Sequence, residues 1–437
     1  EGELQLVYGN VQTVGPAVGC RVFMDGDNDG EWAGPDREPA ATTDERGFFT
    51  ISGASVGDIL RTAVGGDCRD GITGLRLEYS LAAFVEPGQY PTASQTVLTP
   101  LTTVAVSMFR VDSARGSEGI GLTRGEGSVK AAQTSLGVEA GISSLNPWYE
   151  LAGDAGGRRR RRMLGIFSGG GQYDAAKEAY LVGAQIHVTI EAAMWYIGGV
   201  GVWGGSGIIP TPTLATAAVS ALGALYRTAT TTTSLESPSD MARAVEFTSS
   251  YALLAGVDVK GATLYDRKLT AMADLIVDLN KRLAALRNEP SAVVVNEAAR
   301  LGAYVQTNLV GYVYKFGMDS VAANDATARD FELKTRDSAI GSEMLQVVLP
   351  GSVFPSPPSP PPPAPPGGLI DDLDNIGKKA SDTVMIFGGI GAGIGSLIIA
   401  FFVYCFCCRK GSRAAGVDDT FFGDRTPTPA AGAPARA

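Results

Sequence analysis

The chain has 437 residues, of which 45% are aliphatic, aromatic or cysteine and 19% are charged, with 56 glycines and 24 prolines. It is too apolar for a disordered polypeptide and too mixed for a multispanning one, and its length suits two or three domains of about 100–200 residues each. The formal charge of −10 sits in residues 1–150, which hold 20 acidic against 10 basic side chains, an argument against the cationic surface that nucleic-acid binding needs. A single histidine, His187, also disfavours Ser-His-Asp and Cys-His triads and poly-His zinc sites, so the composition points to a non-enzymatic protein.

Residues 1–98 read as strands. Leu4, Leu6 and Tyr8 alternate with Gln5, Val7 and Gly9, and residues 20–24 and 47–51 are short β runs bounded by Gly, Pro and Asp. Several strands separated by turns predict a small antiparallel β-sandwich. Between two of these runs, Asp25, Asp27 and Asp29 alternate around Asn28 and Gly30, with Asp36 and Glu38 further on. Alternate carboxylates on a tight loop can converge on one calcium ion, which takes six to eight oxygens, and without an ion they repel one another. Asp36 falls at the twelfth position of an EF-hand pattern, but β residues enter the loop where an EF-hand has a helix. A structural Ca2+ loop in a β domain is therefore expected, against the alternative of a solvated acidic turn. Cys20 and Cys68 form an even pair in the same segment, and a disulfide between them is expected on an oxidising side.

At Leu98 the pattern changes. Thr99 can cap a helix with Pro100 in its first position. Residues 99–350 then read as a mainly helical bundle with glycine-rich breaks. The residues Tyr265, Leu269, Met272, Ile276, Leu279, Leu283 and Leu286 form one seam. A second helix follows Pro290, with Val294, Ala298, Leu301, Val305, Leu309 and Tyr312 on one side. A third covers residues 173–197, and His187 in its middle reads as a satisfied core histidine. Arg158, Arg159, Arg160, Arg161 and Arg162 form an unbroken basic run, read as a solvated loop, a processing site or a dock for an acidic surface.

Residues 351–383 are a proline-rich stalk and linker. The stretch 355–366 predicts a polyproline II rod of about 40 Å at ~3.1 Å per residue. Residues 384–408 contain no charge and are long enough to span a bilayer as a transmembrane helix, the alternative being a buried globular helix. Arg409, Lys410 and Arg413 follow at once, which places the tail, 409–437, in the cytosol by the positive-inside rule, although Lys378 and Lys379 precede the span. The start at Glu1 is consistent with a removed signal peptide or a trimmed chain. Gly389, Gly391, Gly393 and Gly395 form overlapping GxxxG pairs that would let a partner helix approach, or are a glycine-rich span without a partner. Cys405, Cys407 and Cys408 stand at the cytosolic boundary beside basic residues, a setting for S-palmitoylation or for buried unmodified thiols. No N-x-[ST] sequon occurs in the chain.

The run from Phe23 through Gly30, then Glu38-Pro39 and Thr42-Thr43-Asp44-Glu45-Arg46-Gly47-Phe48-Phe49, resembles the calcium-stabilised β-sandwich repeats of surface adhesins. The loop after Gly30 is longer than in that pattern, so Asp25, Asp27 and Asp29 match it better than Asp36 and Glu38. Residues 98–103 are similar to the start of helical regions attached to such domains, and the rod resembles the hydroxyproline-rich glycoproteins of green algae. Together these resemblances imply a single-pass glycoprotein of the plasma or ciliary membrane, N-terminus outside. Among such proteins they suggest the small partners of ciliary polycystin channels that help anchor mastigonemes.

The expectation is a protein that tethers or assembles an extracellular glycoprotein polymer, a membrane channel or both. Its contacts would be the transmembrane helix and the ectodomain. An adhesion receptor signalling through a recruited partner is the second reading, since the 29-residue tail is too short for a folded kinase. An ectoenzyme acting on glycans is the third.

Overall fold

A computed structural model describes residues 5–85, 93–114, 147–148, 151, 171–203, 209–228, 233–259, 266–319 and 324–350. The polyproline stretch, the uncharged run 384–408 with Gly389, Gly391, Gly393 and Gly395, and Cys405, Cys407 and Cys408 lie outside the described residues, as do the five arginines and Tyr265. No helix among the described residues is long and apolar enough to cross a membrane.

The fold is mixed α+β, strands first and helices after. The strands are β1 (Gln5–Val11), β2 (Ala17–Val18), β3 (Arg21–Met24), β4 (Ala40–Thr42), β5 (Phe48–Ala54), β6 (Ile59–Thr62), β7 (Arg69–Asp70), β8 (Ala82–Phe84) and β9 (Ala93–Leu98). They form a three-stranded sheet β5-β1-β9, a four-stranded sheet β4-β3-β6-β8 and the pair β2-β7. The all-antiparallel expectation fails at one place: β1 and β9 run parallel, Leu6 opposite Ala93 and Val11 opposite Leu98. Every other strand intervenes between these two, so the chain has the length that a parallel return needs.

The inward face of β1 also differs from the apolar alternation Leu4, Leu6, Tyr8. Val7 and Val11 are buried and Tyr8 is half exposed. Gly9 explains the choice, because a Cβ there would come within 2.1 Å of the Phe49 ring of the neighbouring β5. The bare backbone at Gly9 is the seat for that ring. Farther along, Asp44 Oδ1 accepts from the amides of Arg46 (2.9 Å) and Phe48 (2.8 Å), closing the turn that the Thr-Thr-Asp motif leads into. Thr43 Oγ1 accepts from Cys20 N and donates to Ala17 O, both at 2.8 Å, and Cys20 and Cys68 are joined by a disulfide.

The helices are α1 (Pro100–Ala114), α2 (Gly171–Trp203), α3 (Thr211–Thr228), α4 (Pro238–Leu254) and α5 (Asp266–Ala285), then α6 (Ser291–Tyr304), α7 (Val310–Met318), α8 (Asn324–Lys334) and α9 (Asp337–Met344). Thr99 caps α1, its Oγ1 accepting from Thr102 N at 3.0 Å, as side-chain oxygens do for otherwise unpaired first-turn amides. Ser237 does the same for α4 through Asp240 N. On α5, Met272, Ile276, Leu279 and Leu283 of the expected seam are buried, with Leu269 and Leu286 packed at its ends.

Two helices depart from their sequence readings. The reading ended the third helix at Ile197, where glycines begin, yet α2 continues through Gly198, Gly199 and Gly201 to Trp203. Each glycine admits a close neighbour: a Cβ on Gly199 would lie 2.1 Å from Tyr314 O of α7, one on Gly198 2.9 Å from the Leu214 side chain and one on Gly201 2.3 Å from that of Ile209, while across the contact a Cβ on Gly317 would lie 2.3 Å from Tyr196 O. Two backbones in contact offset the helix-propensity cost of glycine, about 1 kcal/mol each. The helix after Pro290 is interrupted by a π turn, Val305–Leu309. Val294, Ala298, Leu301, Val305 and Leu309 are buried as expected, but beyond the turn Val313 and Phe316 take the inward positions and Tyr312 is only half-buried. One wider turn rotates the following face relative to the 3.6-residue period. Lys268 of α5 finishes α7, its Nζ donating to Phe316 O at 2.8 Å and also to Asp319 O.

Residues Glu1–Pro358 form one compact unit, with α2 packed against α1, α3, α4, α5, α6 and α7. The strand and helical segments share a hydrophobic core, and Tyr180 of α2 donates to Val14 O at 2.7 Å across the join.

Candidate metal centre

The acidic loop joins β3 to β4, and its first residue belongs to the core. Asp25 is buried, and its amide donates to Ile59 O of β6 at 2.9 Å, which holds the loop entrance against the sheet. Asp27 and Asp29 are exposed. The loop then curls by side-chain-to-backbone bonds: Gly30 N to Asp25 Oδ1 (3.4 Å), Asp29 N to Asp27 Oδ1 (3.3 Å) and Glu31 N to Asp29 Oδ1 (2.6 Å). Asn28 at the apex has φ +60°, a left-handed conformation that asparagine tolerates better than most residues. The curl brings one oxygen from each of Asp25, Asp27 and Asp29 within 4.8 Å of the others.

Asp36 and Glu38 stand apart from this convergent group. Asp36 is exposed. Glu38 is buried and serves as a clamp: Oε1 accepts from Gly26 N (3.2 Å), Oε2 from Ala33 N (2.8 Å) and its carbonyl from Trp32 Nε1 (3.2 Å). Its two carboxylate oxygens thus tie the beginning of the loop to its end. The same carboxylates repeat in sequence, but only three are brought to one point.

Arg61 of β6 is a member of the site that lies far away in sequence. Its Nε bonds Asp25 Oδ2 and its Nη2 reaches Asn28 Oδ1 at 3.4 Å. Burial lowers the Arg61 pKa while Asp25 opposes that shift, so the pair offsets part of the cost of burying either charge. An all-oxygen set of three carboxylates, without imidazole or thiolate, matches the chemistry of a hard cation. Asp25, Asp27 and Asp29 are the residues that would hold calcium; backbone oxygens and water would have to complete its six to eight ligands.

A second polar group was foreseen only through His187. His187 is buried on α2 with Nδ1 2.9 Å from the Tyr79 hydroxyl, and burial lowers its pKa to about 4. One turn on, Glu191 is fully buried and accepts from Gln306 Nε2 (3.0 Å) and Trp195 Nε1 (3.2 Å). Burial raises its pKa to about 7, opposed by those two bonds and assisted by the charge of Glu78. Gln306 lies on the π turn, so the irregular helix and the buried acid are coupled. A third buried group, Asp70, accepts from Thr13 Oγ1 (2.6 Å) and from the amides of Gly15 (2.7 Å), Ile72 (3.0 Å) and Thr73 (2.8 Å). It organises a loop crossing rather than a reactive centre. The hint for Glu191 was its place in an otherwise apolar helical run; nothing local marked Arg61 or Asp70.

No known protein family, curated protein or solved structure matches the chain.

Proposed function

We propose that the chain is a non-enzymatic single-pass membrane protein that tethers or assembles an extracellular glycoprotein polymer, a membrane channel or both at the plasma or ciliary surface. The observation that carries the reading is the convergence of Asp25, Asp27 and Asp29 on a loop clamped by Glu38, a form suited to stiffening by calcium. Support also comes from the sequence that follows the compact unit: a proline-rich stretch, then 25 uncharged residues and a basic flank. In this reading the strand and helical parts are the extracellular head, the prolines a stalk, and residues 384–408 the anchor. Gly389, Gly391, Gly393 and Gly395 form a second contact, where a partner helix packs against small residues.

The test is to replace Gly391 and Gly395 with leucine and to purify wild type and variant from detergent-solubilised membranes. The variant is expected to lose a specific multispanning partner while its head still melts at the wild-type temperature. Retention of every partner by the variant, together with none by residues 1–358 alone, removes both contact surfaces from the reading. Calcium-dependent turnover of a glycan or peptide would establish the ectoenzyme instead.

A further inference from the structure

Beside the acidic loop lies a cleft of about 850 Å³, within the range of pockets that take small ligands. One wall is the loop itself, where Trp32 carries the Arg21 guanidinium 3.9 Å from its ring centre. The opposite wall is α3, which presents Thr213, Thr216 and Ser220 at a spacing of three and four, one face of a helix. Tyr251 and Leu254 of α4 form an apolar lip, Leu254 being 82% exposed. We propose that this cleft binds a short neutral glycan segment, an inference that rests on the tethering reading for its role and names the chemical class of the tethered polymer.

The lining selects that class. A sugar ring offers a rim of hydroxyls, each able to donate and accept, and an apolar face of C–H groups. Serine and threonine hydroxyls have the same dual capacity, and Trp32, Tyr251 and Leu254 supply apolar surface at the mouth. Asp29 and Glu31 line the same space as Arg21 and Arg61, so the cleft lacks the one-signed field that would gather a polyanion. Strand addition by an extended peptide is also disfavoured. The strands that line the cleft, β3 and β6, each have a neighbour on both sides, β3 between β4 and β6, and β6 between β3 and β8. An amphipathic helix needs a continuous apolar groove, whereas along the α3 wall Thr213, Thr216 and Ser220 interrupt Pro212, Ala217 and Val219, and charges of both signs line the loop side.

The test is calorimetric titration of the purified full chain with neutral pentasaccharides of glucose, mannose, galactose and arabinose. Oligogalacturonate, a sulfated oligosaccharide and a proline-rich dodecapeptide serve as comparators. At least one neutral sugar is expected to bind. Thr216→Trp, which fills the cleft from an exposed helical position, is expected to weaken it at least tenfold with the melting temperature unchanged; Trp32→Ala should weaken the same sugar. Binding by none of the neutral sugars, binding indifferent to Thr216→Trp, or binding of the acidic oligosaccharides or the peptide alone would each overturn the proposal. Absence of sugar binding by the wild-type chain, with membrane partners still co-purifying, removes the cleft and leaves the tethering reading. Sugar binding by a wild-type chain that co-purifies with no membrane partner does the reverse.

Discussion

His187 and Glu191 sit one turn apart on α2 and are displaced in opposite directions from their ordinary pKa values, 6.5 and 4.5, to about 4 and about 7. Between about pH 4.5 and 6.5 the unfolded chain holds a proton on His187 and none on Glu191, while the folded chain holds the reverse. The counts match, so the pair contributes almost no slope to stability across that window. Taken singly the signs differ. The raised Glu191 contributes stability that is complete below pH 4.5 and lost as pH rises through 7. The depressed His187 contributes stability that is complete above pH 6.5 and lost as pH falls through 4. Each is worth about 3 kcal/mol from 1.36 kcal/mol per pKa unit. Relative to wild type, Glu191→Gln should therefore gain stability as pH rises from 4 to 6.5, and His187→Asn should lose it from 4.5 to 7. Urea midpoints measured across that range check both, and parallel curves for all three proteins would contradict the pairing. The lone histidine was legible as a core residue, but its tyrosine partner is 108 positions away and no local pattern points to it.

At the scale of elements, the helices whose faces repeat regularly were legible and those shaped by a neighbour were not. The seam on α5 follows its period from Leu269 to Leu283, with Leu286 continuing it just past the helix end, because one helix face meets one core. The extension of α2 through three glycines depends on Leu214, the α7 backbone, Ile209 and Val257 packing where Cβ atoms would stand, and the π turn Val305–Leu309 sets Gln306 against the distant Glu191. The contrast gives a paired test. Gly199→Ala puts a methyl against the α7 backbone and should cost about 2 kcal/mol, the ordinary cost of overpacking. Gly311→Ala, on α7 itself but facing open space, should stabilise by about 0.5–1 kcal/mol through helix propensity. Denaturant unfolding of the two variants distinguishes them, and equal effects would mean that α2 and α7 do not meet on bare backbone.

For the whole molecule, the acidic loop and the helical body belong to one compact unit, so binding at the loop should register in the melting of the entire head. A cation held by the folded state alone adds about 2.7 kcal/mol at a concentration a hundredfold above its Kd, enough to raise Tm by several degrees. The full chain is expected to melt higher in calcium than in chelator, and Asp27→Ala to remove the difference. Equal melting in both would end the calcium reading. The strand segment is unsuited to this test by itself, because Val14, Tyr79 and Ala82 make hydrogen bonds to α2 and α1.

What the sequence determined unaided is whatever is written locally: the change from strands to helices at Leu98, the cap at Thr99 and the alternating aspartates. The charge-free run 384–408 also belongs there, since its length and composition are properties of a single segment. Only the tertiary structure decided which carboxylates meet. Glu38 is drawn away by the amides of Gly26 and Ala33, and Asp25 is engaged by an arginine 36 residues later. It likewise decided that β9 returns parallel to β1 and that the cleft opens between the loop and α3. The physical reason is one of range. Turn chemistry, capping and periodicity act over a few residues, whereas buried charges, bare-backbone contacts and clefts depend on segments that become neighbours only when the core closes.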